Sequence, residues 1–251
     1  MLNTLTTNLS ILEPSLSNLD RNRGRDIAVQ DNTLVEASYT LTLNEKRLLL
    51  LGISKIHHDQ CPKNLDLIEF SITANEWVGL FPDENPFTTM KRAADRMLTR
   101  YVTLHPKLGC TEKIAWFDSV KYYDGEARVR VRFGRSMSLR LAGMLTEFTK
   151  VRLLDIRQLS SFHSIRLYEY LSQFRSTGYR TTSIEDFRIA MDCIDKYPAM
   201  KELKRAVLKP ALNELNAKSD LRVACKDVKR GRTIVGFEFT FFTDKQQDLP
   251  L

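Results

Sequence analysis

The sequence predicts an α+β chain of two tandem winged-helix (helix-turn-helix) domains, and three observations carry that expectation. The order helix, short helix, longer helix, β-hairpin can be read twice along the chain. In each half the third helix keeps an apolar stripe on one side and arginine or lysine on the other. Lys+Arg total 38 against Asp+Glu 31, a net charge of +7 over 251 residues, which suggests an anionic partner such as nucleic acid. Hydrophobic residues make up 43% of the chain, enough to bury a core. Gly 10 and Pro 8 are too few for a collagen-like or linker-dominated chain.

Residues 1–30 are polar, carry Arg21-Asn22-Arg23-Gly24-Arg25, and show no helix or strand period, so they read as a mobile tail. The first domain is expected over 31–135, for DNA contact. Thr42 or Asn44 can cap a helix that runs through Lys46 to about His58, with an apolar face from Leu48 to Ile53. Alternation from Asp66 to Ile72 predicts a strand. Thr73-Ala74-Asn75-Glu76 has the form of a capping box and opens a short helix through Leu80. Pro86 suits the first turn of a third helix reaching about Arg100. Tyr101 to Leu104 and the stretch from Lys113 to Phe133, turning at Asp124-Gly125, read as a β-hairpin. A connecting segment over 136–158 holds a helix around Ser138 to Leu145 and the stretch from Val151 to Ile156.

The second domain, 159–244, repeats the order and is expected to do most of the DNA reading. Ser160-Ser161 opens a helix through Ile165, Leu167, Tyr168 and Leu171 to Arg175, and Ser176-Thr177-Gly178 stops it. Thr182 or Ser183 caps a short helix to about Met191, and Pro198 begins a longer one to about Ala217. Leu221 to Cys225 and Thr233 to Phe239 read as strands joined by a loop from Lys226 to Arg232.

The two third helices and the last hairpin hold the candidate site. At 100° per residue, Phe87, Met90, Ala94, Met97, Leu98 and Tyr101 share an arc of about 100°, leaving Arg92, Arg96 and Arg100 on the open side. In the second half Met200, Leu203, Val207 and Ala211 form the buried stripe, widened by Leu208 and Leu215. Arg205 and Lys209 point away from it, flanked by Lys201 and Lys204. A helix presenting arginine or lysine can grip phosphates and contact guanine edges in a major groove; the plainer alternative is an amphipathic helix with a solvated charged face. The conjunction with a basic wing, Lys226, Lys229, Arg230 and Arg232 around the single acid Asp227, favours DNA. Pro210 removes a backbone hydrogen bond inside the long helix and should kink or break it near Ala206.

Other chemistries lack their residues. Cys61, Cys110, Cys193 and Cys225 are too far apart for a zinc site and read as reduced thiols filling small apolar spaces. His57-His58 project about 100° apart on a helix, wrong for one metal, and His105 and His163 are isolated. Neither G-x-x-x-x-G-K-[ST] nor G-x-G-x-x-G occurs, and Glu185-Asp186 sits where it complements a helix N-terminus. We therefore expect no enzyme activity, cofactor or metal. No apolar run approaches the ~20 residues that span a bilayer, and the first residues lack a secretory pattern, so a cytoplasmic protein is expected.

The second half resembles the C-terminal winged-helix domain of the iteron-binding plasmid replication initiator (Rep) family of theta-type replication. The resemblance lies in the run Ser164-Ile165-Arg166-Leu167-Tyr168-Glu169-Tyr170-Leu171, in the stretch from Met200 to Asn216 that ends Asn213-Glu214-Leu215-Asn216, and in Lys229-Arg230-Gly231-Arg232. A looser match runs through Leu34-Val35-Glu36-Ala37 and Leu43-Asn44-Glu45-Lys46-Arg47-Leu48, so about residues 31–243 are covered. It implies that the long C-terminal helix reads one major groove of an iteron in duplex origin DNA while the first domain engages the next turn. It also implies that monomers start replication with host replication proteins such as an initiator and a helicase. Homodimers formed through the first domain would repress the initiator's own gene at an operator, giving copy control. The basic run at the start of the reading helix falls on Lys204, Arg205 and Ala206, where some relatives carry three basic residues; a proline at Pro210 recurs in the family. The alternatives are a winged-helix transcriptional repressor without initiator role, on the same fold, and an origin-nicking nuclease, which lacks clustered His, Asp and Tyr. From Val151 onward the net charge is +5, against +2 for residues 1–150.

Overall fold

The structure is a computed structural model that describes residues 26–56, 68–107, 110–142 and 148–244. The expected tail up to Arg25, His57-His58, Cys61 and the Asp66-Leu67 start of the expected strand lie outside the described residues.

The first described element is a strand, β1 (Ile27–Asp31), where a tail was expected as far as residue 30. It pairs antiparallel with β7 (Phe148–Arg152), and Ala28 and Gln30 are fully buried. Five residues whose partner lies some 120 positions away leave little local signal. The Asp31 carboxylate then caps a short helix, α1 (Asn32–Glu36). Thr42 is the N-cap of α2 (Leu43–Ser54): its hydroxyl accepts the Glu45 N–H, and the Glu45 carboxylate accepts the Thr42 N–H at 2.9 Å. This helix stops four residues short of the expected end and is buried on nearly every side, Glu45 and Lys46 included. β2 (Glu69–Thr73) leads into α3 (Ala74–Leu80) through the expected Thr73–Glu76 capping box, and α4 (Pro86–Met97) starts on Pro86.

Two hairpins follow α4 where one was expected. β3 (Tyr101–Lys107) pairs with β4 (Cys110–Ala115), whereas β5 (Phe117–Tyr123) and β6 (Arg128–Phe133) form the first wing, turning through Asp124–Glu126. Buried Trp116 separates them. Its backbone N–H donates to Arg100 and its carbonyl accepts from Gly134, so the chain changes sheet at that residue. α5 (Arg135–Ala142), β7 and α6 (Leu153–Ile156) connect to the second half.

The second half holds α7 (Phe162–Ser172), β8 (Tyr179–Ser183), α8 (Ile184–Ala190) capped by Ser183, and a long third helix. Ser161 occupies the N-cap position of α7 without a side-chain capping bond. The Ser160 N–H and hydroxyl instead donate to Glu214 at 2.8 and 2.6 Å. Burial pushes the Glu214 carboxyl up, but hydrogen bonds from Ser160 and Lys218 outweigh it and hold the group down to about 2.

The long helix does not break at Ala206. Met200–Leu203 runs into a π-helical turn, Lys204–Leu208, and then into Lys209–Lys218, forming one rod, α9. The Lys209 N–H bonds back five residues to the Lys204 carbonyl. One wider turn thus absorbs both the missing N–H of Pro210 and the clash of its ring with the Ala206 carbonyl. β9 (Leu221–Arg230) and β10 (Thr233–Thr243) close the fold. The basic segment expected as a loop is strand as far as Arg230. Only Gly231-Arg232 turns, with Gly231 at φ 62° as a two-residue hairpin requires.

The halves share one sheet order, β2-β6-β5 and β8-β10-β9, both antiparallel with the last strand in the middle. A single apolar core runs through both. Where α2 and α7 meet, that core contains charge. Lys46 Nζ lies 2.7 Å from Glu169 Oε1, and Arg166 lies 3.7 Å from Oε2 of the same carboxylate, all at 0–1% exposure. Gln30 also donates to Glu169, Lys46 donates to the Tyr39 hydroxyl, and Arg166 donates to Tyr39 and to the carbonyls of Ala37 and Ala190. Every cation in this knot has a partner, which is the condition for burying one.

Among the described residues no helix is long and apolar enough to cross a membrane, and no group of three or more His, Cys, Asp or Glu could hold a metal ion. Cys193 is buried, whereas Cys110 and Cys225 are partly exposed, not fully buried as expected. Burial pushes the Cys193 and Cys225 thiols up to about 11 and about 12, so neither supplies a thiolate at neutral pH.

Candidate nucleic-acid interface

Each third helix lies beside its own wing. In α4 the buried side is Met90, Ala93, Ala94 and Met97, close to the expected stripe. Leu98 and Tyr101, assigned to that stripe, are 39% and 47% exposed because the helix ends at Met97 and the chain turns away. Arg92 is exposed and makes no ion pair among the described residues. Arg100 is drawn inward, its Nε 3.2 Å from a carboxylate oxygen of buried Glu45, whereas Arg96 stays 62% exposed and reaches the same carboxylate only at 4.0 Å. Lys91 pairs with Asp124 at 3.0 Å and the Tyr122 hydroxyl donates to Asp95, so two contacts tie α4 to its wing. Burial, then the bond to Asp95, pushes the Tyr122 phenol above its usual range.

Strand β6 carries three arginines on one face, but acids meet each of them. Arg128 pairs with Glu126 at 2.8 Å, Arg130 with Glu69, and Arg132 with Asp118 at 2.6 Å. The first half is therefore rich in cations that its own carboxylates neutralise.

The second half differs. α9 buries Leu203, Val207, Leu208, Ala211 and Leu215, as expected, with Met200 partly covered. Lys201, Arg205, Lys209 and Asn213 form an exposed row at four-residue spacing, which the π turn helps keep on one side. On the wing Lys226, Lys229, Arg230 and Arg232 are exposed. None of these seven cations makes an ion pair among the described residues. Lys204 departs from the group: its ammonium lies 2.5 Å from an Asp227 carboxylate oxygen and is only 22% exposed. At the far end of α9, Asn216 donates to the Val223 carbonyl at 2.9 Å and accepts the Val223 N–H at 2.7 Å, bracing the outer edge of β9.

Sequence reasoning did not show that the acids Glu45, Asp124 and Asp227 decide which cations are neutralised inside the molecule. It missed Asn213 as well, although the four-residue spacing from Arg205 and Lys209 marks it. A cationic helix row beside a cationic β-ribbon, presented by a repeated three-helix and three-strand unit, defines a tandem winged-helix protein of the DNA-binding class.

Comparisons with known proteins make this specific. The model of the initiator replication protein N-terminal winged-helix domain (WH1) matches residues 27–172, and that of the initiator Rep protein second winged-helix domain (WH2) matches 183–241. The chain belongs to this family of plasmid replication initiators. It is 24% identical over 232 residues to a replication initiation protein of Escherichia coli, covering 89% of this chain and 72% of that one. An uncharacterised 27.6 kDa protein of Escherichia coli is 27% identical over 206 residues, covering 76% of this chain and 85% of its own. The crystal structure of the Pi initiator protein in complex with iteron DNA has the same fold, with a TM-score of 0.75 at 18% identity over 89% of this chain and 99% of that chain.

Proposed function

We propose that this chain starts plasmid replication by binding repeated sequences, iterons, in duplex origin DNA. α9 enters one major groove, with Arg205 contacting base edges and Lys201 and Lys209 the flanking phosphates. Lys226, Lys229, Arg230 and Arg232 hold the backbone beside it, and Arg92 brings the first half onto the next turn. The observation that carries this reading is the cluster of seven exposed cations on the α9 row and its adjoining wing, none of which makes an ion pair among the described residues. The likeness in fold to an initiator bound to iteron DNA supports duplex iteron DNA as the partner. Arg100 serves mainly to fasten α4 to α2 through Glu45, whereas the largely exposed Arg96 joins Arg92 at the DNA backbone.

The protein works in the bacterial cytoplasm as a scaffold that bends or opens the origin for host replication proteins, without catalysing a reaction. The monomer initiates, and a homodimer formed through the first domain represses the protein's own gene. The chain divides near residue 159 into a first and a second DNA-binding unit. The test is a footprint of the full chain on the DNA flanking its own gene. Protection recurring on direct repeats, with two groove contacts ~10 bp apart on one DNA face, supports the proposal. Protection of a single inverted repeat over a promoter alone would make the protein a repressor.

A further inference from the structure

The second wing changes character along its length. β8 pairs with β10 only over Gly236 to Thr240, so beyond Gly236 the hairpin is a two-stranded ribbon, and the register shifts between Ile234 and Gly236 mark a bulge at the same level. Isolated two-stranded ribbons are marginal, and bulges are where strands bend. The ribbon carries Lys229, Arg230 and Arg232, so its direction relative to α9 decides whether helix and wing can engage DNA together. At this hinge stands Asp227. It is opposite buried Phe237 in the register and therefore on the helix-facing side, where both carboxylate oxygens lie 2.5–2.6 Å from Lys204 Nζ. The two side chains are 22% and 27% exposed, and the ammonium also lies 5.9 Å from the centre of the Phe237 ring.

We propose that Lys204 and Asp227 form a latch that fixes the wing against the reading helix, so that Lys204 is a positioning residue that does not itself touch DNA. The latch rests on the DNA-binding function proposed above and deepens it. An ammonium held by a carboxylate is already neutralised and has little to offer a phosphate, whereas one fixed hinge orients three free cations at once. Prepaying that orientation is how preorganisation raises affinity. The first half has its own ties between helix and wing, Lys91–Asp124 and Tyr122–Asp95, built from different residues.

The decisive variant is Asp227→Asn, which makes the protein more cationic. Its binding is measured on a duplex of about 30 bp, roughly three helical turns, selected by the wild-type chain from a randomised pool, and on a random duplex of equal length. The latch predicts that Asp227→Asn weakens binding to the selected duplex about fivefold, as expected for a partly buried ion pair. Lys204→Met should lose as much, the double variant no more than either single one, and Lys204→Glu with Asp227→Lys should return to within about twofold. Tighter binding by Asp227→Asn, additive losses, or a swapped pair that binds worse than the single variants would overturn the latch and make Lys204 a DNA contact. Amide hydrogen exchange of the free protein is the second measurement. Both single variants should speed exchange from Val228 to Thr233 and leave α7 unchanged; wing exchange equal to wild type overturns the latch without reference to DNA. A wild-type chain that does not prefer the selected duplex, while the exchange result holds, would instead overturn the DNA-binding function.

Discussion

Glu169 should be the residue on which the joint between the two halves depends. Among the described residues it is the one carboxylate between two buried cations, Lys46 at 2.7 Å and Arg166 at 3.7 Å. With an effective dielectric of about 20, those separations correspond to attractions of about 6 and about 4–5 kcal/mol. Removing three ions from water costs several kcal/mol each, so the intact knot contributes little net stability. Glu169→Gln keeps the shape but forfeits both attractions and leaves two like charges buried. Repacking and water entry recover part of the loss, leaving a cost of about 3–5 kcal/mol. In a chain of this size that lowers Tm by about 6–20 °C. Lys46→Met should cost much less, about 1 kcal/mol, because it leaves a neutral Arg166–Glu169 pair and removes a buried like charge. Thermal and urea unfolding followed by circular dichroism would measure both. A Glu169→Gln cost below that of Lys46→Met would refute the view that charge balance, more than packing, governs this joint. Because Gln30, Tyr39 and Lys46 come from the first half, the same variant should also loosen the relation between α4 and α9.

Four further outcomes can be checked. Arg205→Ala should cost about 1–3 kcal/mol on a specific duplex and relax base preference at one position; an equal loss on random DNA would show a phosphate contact instead. Lys229→Ala or Arg230→Ala should weaken all sequences alike and reduce the slope of log affinity against log salt by about one, read from titrations at several salt concentrations. Gly236→Ala should destabilise by about 1–3 kcal/mol in urea unfolding, because a Cβ at that position runs into the Thr182 carbonyl of the paired strand. Glu214, lowered from 4.5 to about 2, favours the folded state at pH above its unfolded value and loses that contribution as pH falls from 4.5 toward 2. Glu214→Gln should therefore flatten the stability curve in that window, and an unchanged curve would remove Glu214 from the cause.

Some parts of the molecule were legible because their causes are local. Thr42, Thr73 and Ser183 mark helix starts through bonds made within three residues, and Pro86 fits a first turn without help from the rest of the chain. The apolar stripe of α9 follows from helical periodicity. Pro210 was legible as an irregularity, but whether it breaks the rod or widens one turn depends on packing along Val207, Ala211 and Leu215.

The sequence by itself thus determined the order of elements, the repeated three-helix and hairpin plan, and a cationic second half. Only the tertiary structure decided which cations are free. Lys204 meets Asp227 across 23 positions and Arg100 meets Glu45 across 55, whereas Lys201, Arg205 and Lys209 meet no acid among the described residues. Periodicity tells which side of a helix a side chain leaves from. A charge becomes spent or available according to what the folded chain brings within a few ångströms of it, and that has no local signature.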